Sequence, residues 1–422
     1  MEKFVIEGGE RLSGKIRITG AKNSILPILA ASLLSSGKVR IEDVPRISDV
    51  KVMLDILECL GVKIDWKENS LELDADSLST SEIPEKLMCE MRSSIFLMGP
   101  LLGKLGKVKV SYPGGCAIGP RPIDLHLKGL ISMGVEVVEE NGYVSAKAGT
   151  LKGSTIHLDF PSVGATENLM MAAIYAKGFT RLHNVAKEPE IVDLQNFLNK
   201  MGARVRGAGT DIITIEGVKS LDGAVHRLIP DRIIAGTMIV AAGITDGEVI
   251  IENIIPEHLE AVISKLREAG LEILEDSESL MVRGGKIKGV NSVRTLPYPG
   301  FPTDMQPQIM ALLSYADGIS VVKESVFEGR FSHINELNKM GAQITVQERS
   351  AIIKGVNNLK GAKVKAPDLR AGAALVLAGL SAQGTTLIDE VHYIDRGYER
   401  LDLMLQKLGA NIKRVHAPVI NV

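Results

Sequence analysis

Leu60-Gly61-Val62-Lys63-Ile64 decides the fold, because it is the first of six appearances of one phrase: a helix end, a glycine, then a short strand. The phrase returns as Met133-Gly134-Val135-Glu136-Val137, Met201-Gly202-Ala203-Arg204-Val205 and Ala269-Gly270-Leu271-Glu272-Ile273. It closes with Met340-Gly341-Ala342-Gln343-Ile344 and Leu408-Gly409-Ala410-Asn411-Ile412. Glycine tolerates the left-handed backbone that ends a helix, and a strand can follow directly. The six glycines stand at 61, 134, 202, 270, 341 and 409, spaced 68 to 73 residues apart. Self-similarity at a near-fixed period marks a repeated architecture.

Upstream of each glycine turn lies a second recurring part, an apolar helix leading to a Gly-led strand. Residues 25–36 run into Gly37-Lys38-Val39-Arg40-Ile41, and 168–177 into Gly178-Phe179-Thr180-Arg181-Leu182. Residues 235–245 precede Gly247-Glu248-Val249-Ile250-Ile251, and 371–383 precede Gly384-Thr385-Thr386-Leu387-Ile388. Helices that are apolar nearly all round belong in a core. The helices before the glycine turns are amphipathic instead, as in Leu259-Glu260-Ala261-Val262-Ile263-Ser264-Lys265-Leu266. One unit therefore reads strand, buried helix, strand, surface helix, strand pair. Such units exceed the roughly 20–50 residues of solenoid repeats. Two domains of three units each, with a break inside 218–230, is the natural grouping.

The 422 residues are enough for two or three domains, and hydrophobic (45%) and charged (24%) content is ordinary for a globular protein. A net charge of −2 and only 4% aromatics argue against nucleic acid as a partner. Three cysteines, Cys59, Cys89 and Cys116, are too few for a disulfide scaffold and fit a reducing compartment. Cys59 falls in a helical pattern and Cys89 precedes another apolar helix; both are expected to be packing residues. The N-terminus has no signal-peptide core, and every apolar run is broken before the roughly 18 residues a membrane span needs. A cytoplasmic protein without membrane insertion is expected.

One cysteine stands apart. Cys116 lies within Tyr112-Pro113-Gly114-Gly115-Cys116-Ala117-Ile118-Gly119-Pro120-Arg121-Pro122-Ile123-Asp124-Leu125-His126. Glycines and prolines shape a surface loop there, and such loops carry functional groups. Arg121 would favour the thiolate and bind anions. The starts of the buried helices carry the other candidates: Gly20-Ala21-Lys22-Asn23, Arg92-Ser93-Ser94, Ser162-Val163-Gly164-Ala165-Thr166, Asp231-Arg232, Pro302-Thr303-Asp304 and Asp368-Leu369-Arg370. Capping accounts for the small polar residues but not for Lys and Arg, which the helix dipole disfavours at an N-terminus. Helix starts gathered on one interdomain cleft, each adding about 0.3–1 kcal/mol for an anion, would suit a substrate with several negative charges.

At these positions the chain resembles the enolpyruvyl transferase family. The resemblance rests on Gly20-Ala21-Lys22-Asn23-Ser24, the Cys116 loop, the Ser162 turn and Pro230-Asp231-Arg232. It continues through Phe301-Pro302-Thr303-Asp304-Met305-Gln306, Phe327-Glu328-Gly329-Arg330-Phe331 and Asp368-Leu369-Arg370-Ala371-Gly372, in order along the whole chain. It implies an α/β fold, a two-domain inside-out α/β barrel of six βαβαββ repeats, three per domain, with helices inside and sheets outside. The implied domains are 21–229, with the Cys116 loop, and a discontinuous one of 1–20 plus 230–422. Apolar strands at the two ends, Phe4-Val5-Ile6 and Pro418-Val419-Ile420-Asn421-Val422, are the expected pair.

The implied reaction moves the enolpyruvyl group of phosphoenolpyruvate to the 3-hydroxyl of UDP-N-acetylglucosamine by addition and elimination, the first committed step of peptidoglycan precursor synthesis. No cofactor and no metal are implied. Cys116 resembles the family's general acid, able to carry a phosphoenolpyruvate adduct and to react with fosfomycin. A free thiol of pKa about 8.5 is mostly protonated at neutral pH. Asp304 would take or steer the hydroxyl proton. Lys22, Arg121 and Arg396 would clamp phosphate, Arg330 and Arg370 would face the carboxylate, and Asn23 would hydrogen-bond the intermediate. Arg92, Arg121, Pro122, Ile123, Asp124, Leu125, Ser162, Val163, Gly164 and Val326 would line the nucleotide sugar. Phe160 departs from the pattern, standing where many relatives have a basic residue. Relatives acting on shikimate phosphate typically open with Gly-Ser-Lys-Ser and lack the cysteine loop; a non-catalytic anion-binding module is the other alternative. His126 begins a helix; His157, His183, His226 and His258 are assigned no role.

Overall fold

A computed structural model describes residues 2–112 and 122–416. Its described residues form two compact units, one of 2–18 and 230–416, the other of 19–112 and 122–229. Each has its own apolar core. Ile239, Met310, Leu375 and Tyr398 are among the fully buried residues of the first, and Ile28, Leu101, Met170 and Phe197 of the second.

All six turn glycines have positive φ, from 89° at Gly134 to 103° at Gly202. Gly61 is doubly constrained, since a Cβ there would lie 2.5 Å from the Ser77 carbonyl oxygen.

The sheets of the 19–229 unit follow from those turns. Thr155–His157 runs parallel to Phe179–His183, which pairs antiparallel with Ile212–Glu216 and through it with Arg204–Arg206. Val39–Glu42, Ser70–Asp74 and Lys63–Lys67 form a second sheet, completed by Val225–Arg227 running parallel to Val39–Glu42. The third is Lys107–Ser111, Tyr143–Lys147 and Glu136–Glu140, with a single parallel bridge from Glu82 to Lys109. Parallel first strands require a crossover, which the buried helices supply.

The other unit is built alike. Val293–Arg294, Ile319–Lys323, Ser350–Lys354 and Gln343–Gln347 form one sheet. A second joins Ser13–Arg17 in parallel to Glu248–Glu252, followed by Ser279–Arg283 and Glu272–Glu275. Two strands are thus separated from the helices that follow them. Ser13–Arg17 stays in the 230–416 unit while helix Lys22–Ala31 lies in the other, and Val225–Arg227 is placed in the converse way before helix Arg232–Ile244. The third sheet pairs Glu2–Glu7 with both Thr385–Asp389 and Asn411–His416, and adds Lys363–Lys365. The N-terminal strand therefore pairs with Asn411–His416; the tract beginning at Pro418 lies outside the described residues.

Helices Arg232–Ile244, Gln306–Leu313 and Leu369–Ser381 pack against one another and are almost wholly buried. Lys22–Ala31 and Met98–Leu105 both pack on Val163–Ala173 in the other unit. One packing expectation is corrected. Cys59 is exposed, because the buried face of helix Ser48–Cys59 runs through Met53, Leu54, Ile56 and Leu57, and two residues past Leu57 is the far side of an α-helix. The side chain of Cys89 is outside the described set.

Candidate active site

Two of the three central helices of the 230–416 unit open with a capping aspartate. Asp231 accepts the Ile233 and Ile234 N–H groups at 2.8 and 2.9 Å; Asp368 accepts those of Arg370 and Ala371 at 2.9 and 3.0 Å. The third start has no side-chain cap. There Pro302 leads into a 3₁₀ turn, Thr303–Met305, and Pro307 sits in the first turn of Gln306–Leu313, where a missing N–H costs nothing.

The Asp304 carboxylate is consequently free for other partners, and two arginines take it. Arg330 Nη2 donates to Oδ1 at 2.8 Å, while Arg370 donates to Oδ2 from Nε at 3.1 Å and from Nη2 at 2.8 Å. The arginine side chains are 4% and 3% exposed, against 25% for Asp304. Burial alone would raise the carboxyl pKa, but the Arg370 and Arg330 charges outweigh it and hold the group well below the usual carboxylate range. Burial likewise opposes the Arg370 charge, yet Asp304, with Tyr398 and Asp231, keeps its pKa above the ordinary guanidinium value.

The Arg370 guanidinium lies 5.7 Å from the ring centre of buried Tyr398, whose hydroxyl is 2.9 Å from Thr237 Oγ1. Arg330 lies 5.7 Å from the Phe327 ring centre. His333 is wholly buried beside Arg330 and Asp368; burial drives its pKa down to about 4, so it is neutral. Ser332 Oγ donates to Asp368 at 3.0 Å. Val326 lies in the segment before Arg330, its N–H bonded to Glu324 at 2.8 Å. Arg396 ends the 3₁₀ helix Val391–Arg396 and is half-buried.

In the 19–229 unit, Lys22 opens helix Lys22–Ala31 without a side-chain cap at Ala21. Its ammonium meets Asp49 at 2.8 Å, with side chains 11% and 4% exposed. Asn23 follows and is half-buried. Behind them, Ser24 Oγ donates to Asp193 Oδ2, and His226 Nε2 lies 2.9 Å from Asp193 Oδ1. Lys200 Nζ is 3.3 Å from His226 Nδ1. His226 is thus part of the buried network behind the Lys22 turn.

Ser162 caps helix Val163–Ala173 by accepting the Ala165 N–H at 3.3 Å. Gly164 sits beside the rings of His126 and Phe96, and His126 Nδ1 is 2.9 Å from Asn168 Nδ2. This contact ties the start of helix Asp124–Ser132 to the Ser162 turn. Pro122 and Asp124 are exposed, Leu125 half-buried and Ile123 buried. Phe160 is 45% exposed and presents an apolar surface. Glu167 is wholly buried, and burial followed by the Glu190 and Glu188 charges raises its pKa well above the carboxylate range. Arg92 opens a 3₁₀ turn, Arg92–Leu97. Cys116 and Arg121 lie outside the described residues, as does the side chain of Arg92.

The structure thus joins Asp304, Arg330 and Arg370 directly, and separately joins the Ser162 turn to the helix after the cysteine loop. Asp49, Glu324, His333 and Tyr398 were not found by sequence reading. Each is an isolated residue whose partner is distant in the chain, so no local pattern marks it.

A carboxylate held between two buried arginines can accept a hydrogen bond from a hydroxyl, and the guanidinium charges favour an anion nearby. A family model described as EPSP synthase (3-phosphoshikimate 1-carboxyvinyltransferase) matches residues 6–413. The crystal structure of the enolpyruvyl transferase NikO from Streptomyces tendae superposes with a TM-score of 0.89 at 26% identity, covering 99% of both chains. EPSP synthase from Acinetobacter baumannii shares the fold, with a TM-score of 0.76 at 20% identity over 99% of this chain and 100% of that one. The family match and the shared fold thus define an enolpyruvyl transferase of α/β architecture. A UDP-N-acetylglucosamine 1-carboxyvinyltransferase 2 from Carboxydothermus hydrogenoformans is 55% identical over 98% of this chain and 100% of its own length. A UDP-N-acetylglucosamine 1-carboxyvinyltransferase 1 from Caldanaerobacter subterraneus subsp. tengcongensis is 55% identical over 98% of this chain and 99% of its own length. The chain belongs to the UDP-N-acetylglucosamine 1-carboxyvinyltransferase family.

Proposed function

We propose that the chain transfers the enolpyruvyl group of phosphoenolpyruvate to the 3-hydroxyl of UDP-N-acetylglucosamine, releasing phosphate. The names of the relatives supply the substrates. The observation that carries the chemistry is the Asp304 carboxylate held by Arg330 and Arg370 at the opening of a buried helix.

In addition, the sugar oxygen bonds to C2 of phosphoenolpyruvate, its proton leaves, and C3 gains a proton. In elimination, the C2–O bond to phosphate breaks and C3 loses a proton, restoring the double bond. Asp304 accepts a hydrogen bond from the sugar hydroxyl and so aims it. Its depressed pKa makes it a weak base, so steering is its main contribution. Arg330 and Arg370 serve the carboxylate side, while Lys22, Arg121 and Arg396 serve phosphate. Cys116 donates the proton to C3, and Asn23 binds the tetrahedral intermediate. Arg92, Pro122 to Leu125, Ser162 to Gly164 and Val326 hold the nucleotide sugar, with Phe160 offering an apolar surface to the base.

The finer architecture belongs to the same reading: six copies of one βαβαββ unit, three in each of two domains that divide near residues 20 and 230. The enzyme acts in the cytoplasm in peptidoglycan precursor synthesis. Among the described residues no helix is long and apolar enough to cross a membrane. The test is phosphate release from phosphoenolpyruvate with each acceptor in turn. Release with UDP-N-acetylglucosamine is expected. Release only with shikimate 3-phosphate would move the chain to the other branch of the family, and release with neither would leave an anion-binding module.

A further inference from the structure

Glu324 is 1% exposed, and its partners are two hydroxyls and two backbone N–H groups. Oε1 accepts Thr295 Oγ1 at 2.7 Å and the N–H groups of Val326 and Phe327 at 2.8 and 3.0 Å. Oε2 accepts Thr303 Oγ1 at 2.9 Å. Thr295 Oγ1 in turn accepts the Ser325 N–H at 2.8 Å.

These contacts close a ring. Glu324 holds Thr303, whose neighbour Asp304 holds Arg330; Arg330 lies over Phe327, whose N–H returns to Glu324. A buried carboxylate is expensive to desolvate, and an apolar residue of similar volume commonly serves stability as well or better. What the carboxylate adds is geometry, because it accepts donors from two segments that each carry a site residue. We propose that Glu324 is a positioning residue that fixes the Asp304 turn and the segment from Val326 to Arg330 relative to each other. The inference rests on the enolpyruvyl-transfer reading, in which Asp304 aims the acceptor hydroxyl and Val326 lines the acceptor.

The test uses the full chain with three variants, measuring kcat, KM for UDP-N-acetylglucosamine and, without substrates, amide hydrogen exchange at 324–330. Glu324→Ala opens the ring; kcat should fall about 10- to 100-fold, the loss that misplacement of order 1 Å brings, with a raised KM for the sugar nucleotide and faster exchange. Glu324→Gln keeps an accepting oxygen for both N–H groups and offers its amide to the Thr303 hydroxyl, so it should stay within about threefold of wild type. Thr303→Val cuts only the arm to Asp304, and should lower kcat by about tenfold with KM for the sugar nucleotide unchanged. That split is the signature of positioning, since general destabilisation would not separate the two constants. Equal damage in Glu324→Gln and Glu324→Ala, or an unchanged kcat in Thr303→Val, would overturn the inference. Should Glu324→Ala not fold, Thr303→Val and Glu324→Gln carry the test. If the wild type releases no phosphate with UDP-N-acetylglucosamine, the functional reading falls, and exchange at 324–330 still decides whether the ring holds these segments.

Discussion

Replacing Asp304 by Asn removes one negative charge from between two arginines that have almost no access to water. The carboxylate accepts three charge-assisted hydrogen bonds, from Arg330 Nη2, Arg370 Nε and Arg370 Nη2. Asparagine keeps one accepting oxygen, but its amide must face a guanidinium, donor against donor. Breaking a buried pair from one side costs about 3–5 kcal/mol; with a quarter of the Asp304 side chain exposed, about 3 kcal/mol is expected. Hydrogen exchange in helix Leu369–Ser381, followed under native conditions, should then accelerate by about 100-fold, since 1.36 kcal/mol is a factor of ten. The effect has a defined pH dependence. A carboxyl whose folded pKa is depressed contributes stability that is complete above its unfolded value, near 3.8, and is lost as pH falls through the folded one. The gap between wild type and Asp304→Asn should therefore stay flat from pH 8 to 5 and narrow only below about pH 4. A gap that narrows between pH 8 and 5, or one below about 1 kcal/mol, would refute the picture of a carboxylate held ionised by Arg330 and Arg370.

Lys22→Met should cut phosphate release by at least about 100-fold, the scale of losing one stabilising group in the transition state, while circular dichroism stays native. Fosfomycin should label Cys116 and not Cys59, although Cys59 is exposed, and Cys116→Ser should abolish the label. Peptide mass spectrometry that finds the adduct on Cys59 would remove the acid assignment. His333 is neutral when folded and protonates when unfolded, so its depressed pKa lowers stability as pH falls from 6.5 towards about 4. His333→Leu should flatten that stretch of the stability profile by up to about 3 kcal/mol, measured by urea unfolding; an unchanged slope would show that the ring is not kept neutral.

The turns were readable because each is local. A left-handed residue after a helix demands glycine, and all six positions carry it with positive φ. Helix burial was equally legible, as with Arg232–Ile244, in which every residue is buried. Strand assignment across the two chain crossings was not. Ser13–Arg17 and Val225–Arg227 look like any short strand, and their partners Glu248–Glu252 and Val39–Glu42 lie far away in sequence. The N-terminal strand shows the same limit: Phe4-Val5-Ile6 suits any sheet edge, and register alone selects Asn411–His416.

The site divides along that line as well. Cations at helix starts drew notice because capping does not explain them, and Lys22 and Arg370 do occupy such starts. Their counter-charges stayed hidden. Asp49 reads as an ordinary acid in a first helical turn, favourable there with no further role. Asp304 reads equally well as a cap, yet its helix start has no side-chain cap, and the carboxylate reaches Arg330 and Arg370, 26 and 66 residues on. The aspartate that does not cap is the one whose two oxygens both meet arginine side chains. Asp231 and Asp368 each use one oxygen to accept two backbone N–H groups at their helix starts. Interchanging the roles tests this. Asp231→Ser keeps a capping oxygen and should cost well under about 1 kcal/mol with kcat unchanged, whereas Asp304→Ser should lose most of the activity. Equal losses of activity in the two variants would mean that an intact helix start, and not the arginine-bound carboxylate, is what activity requires.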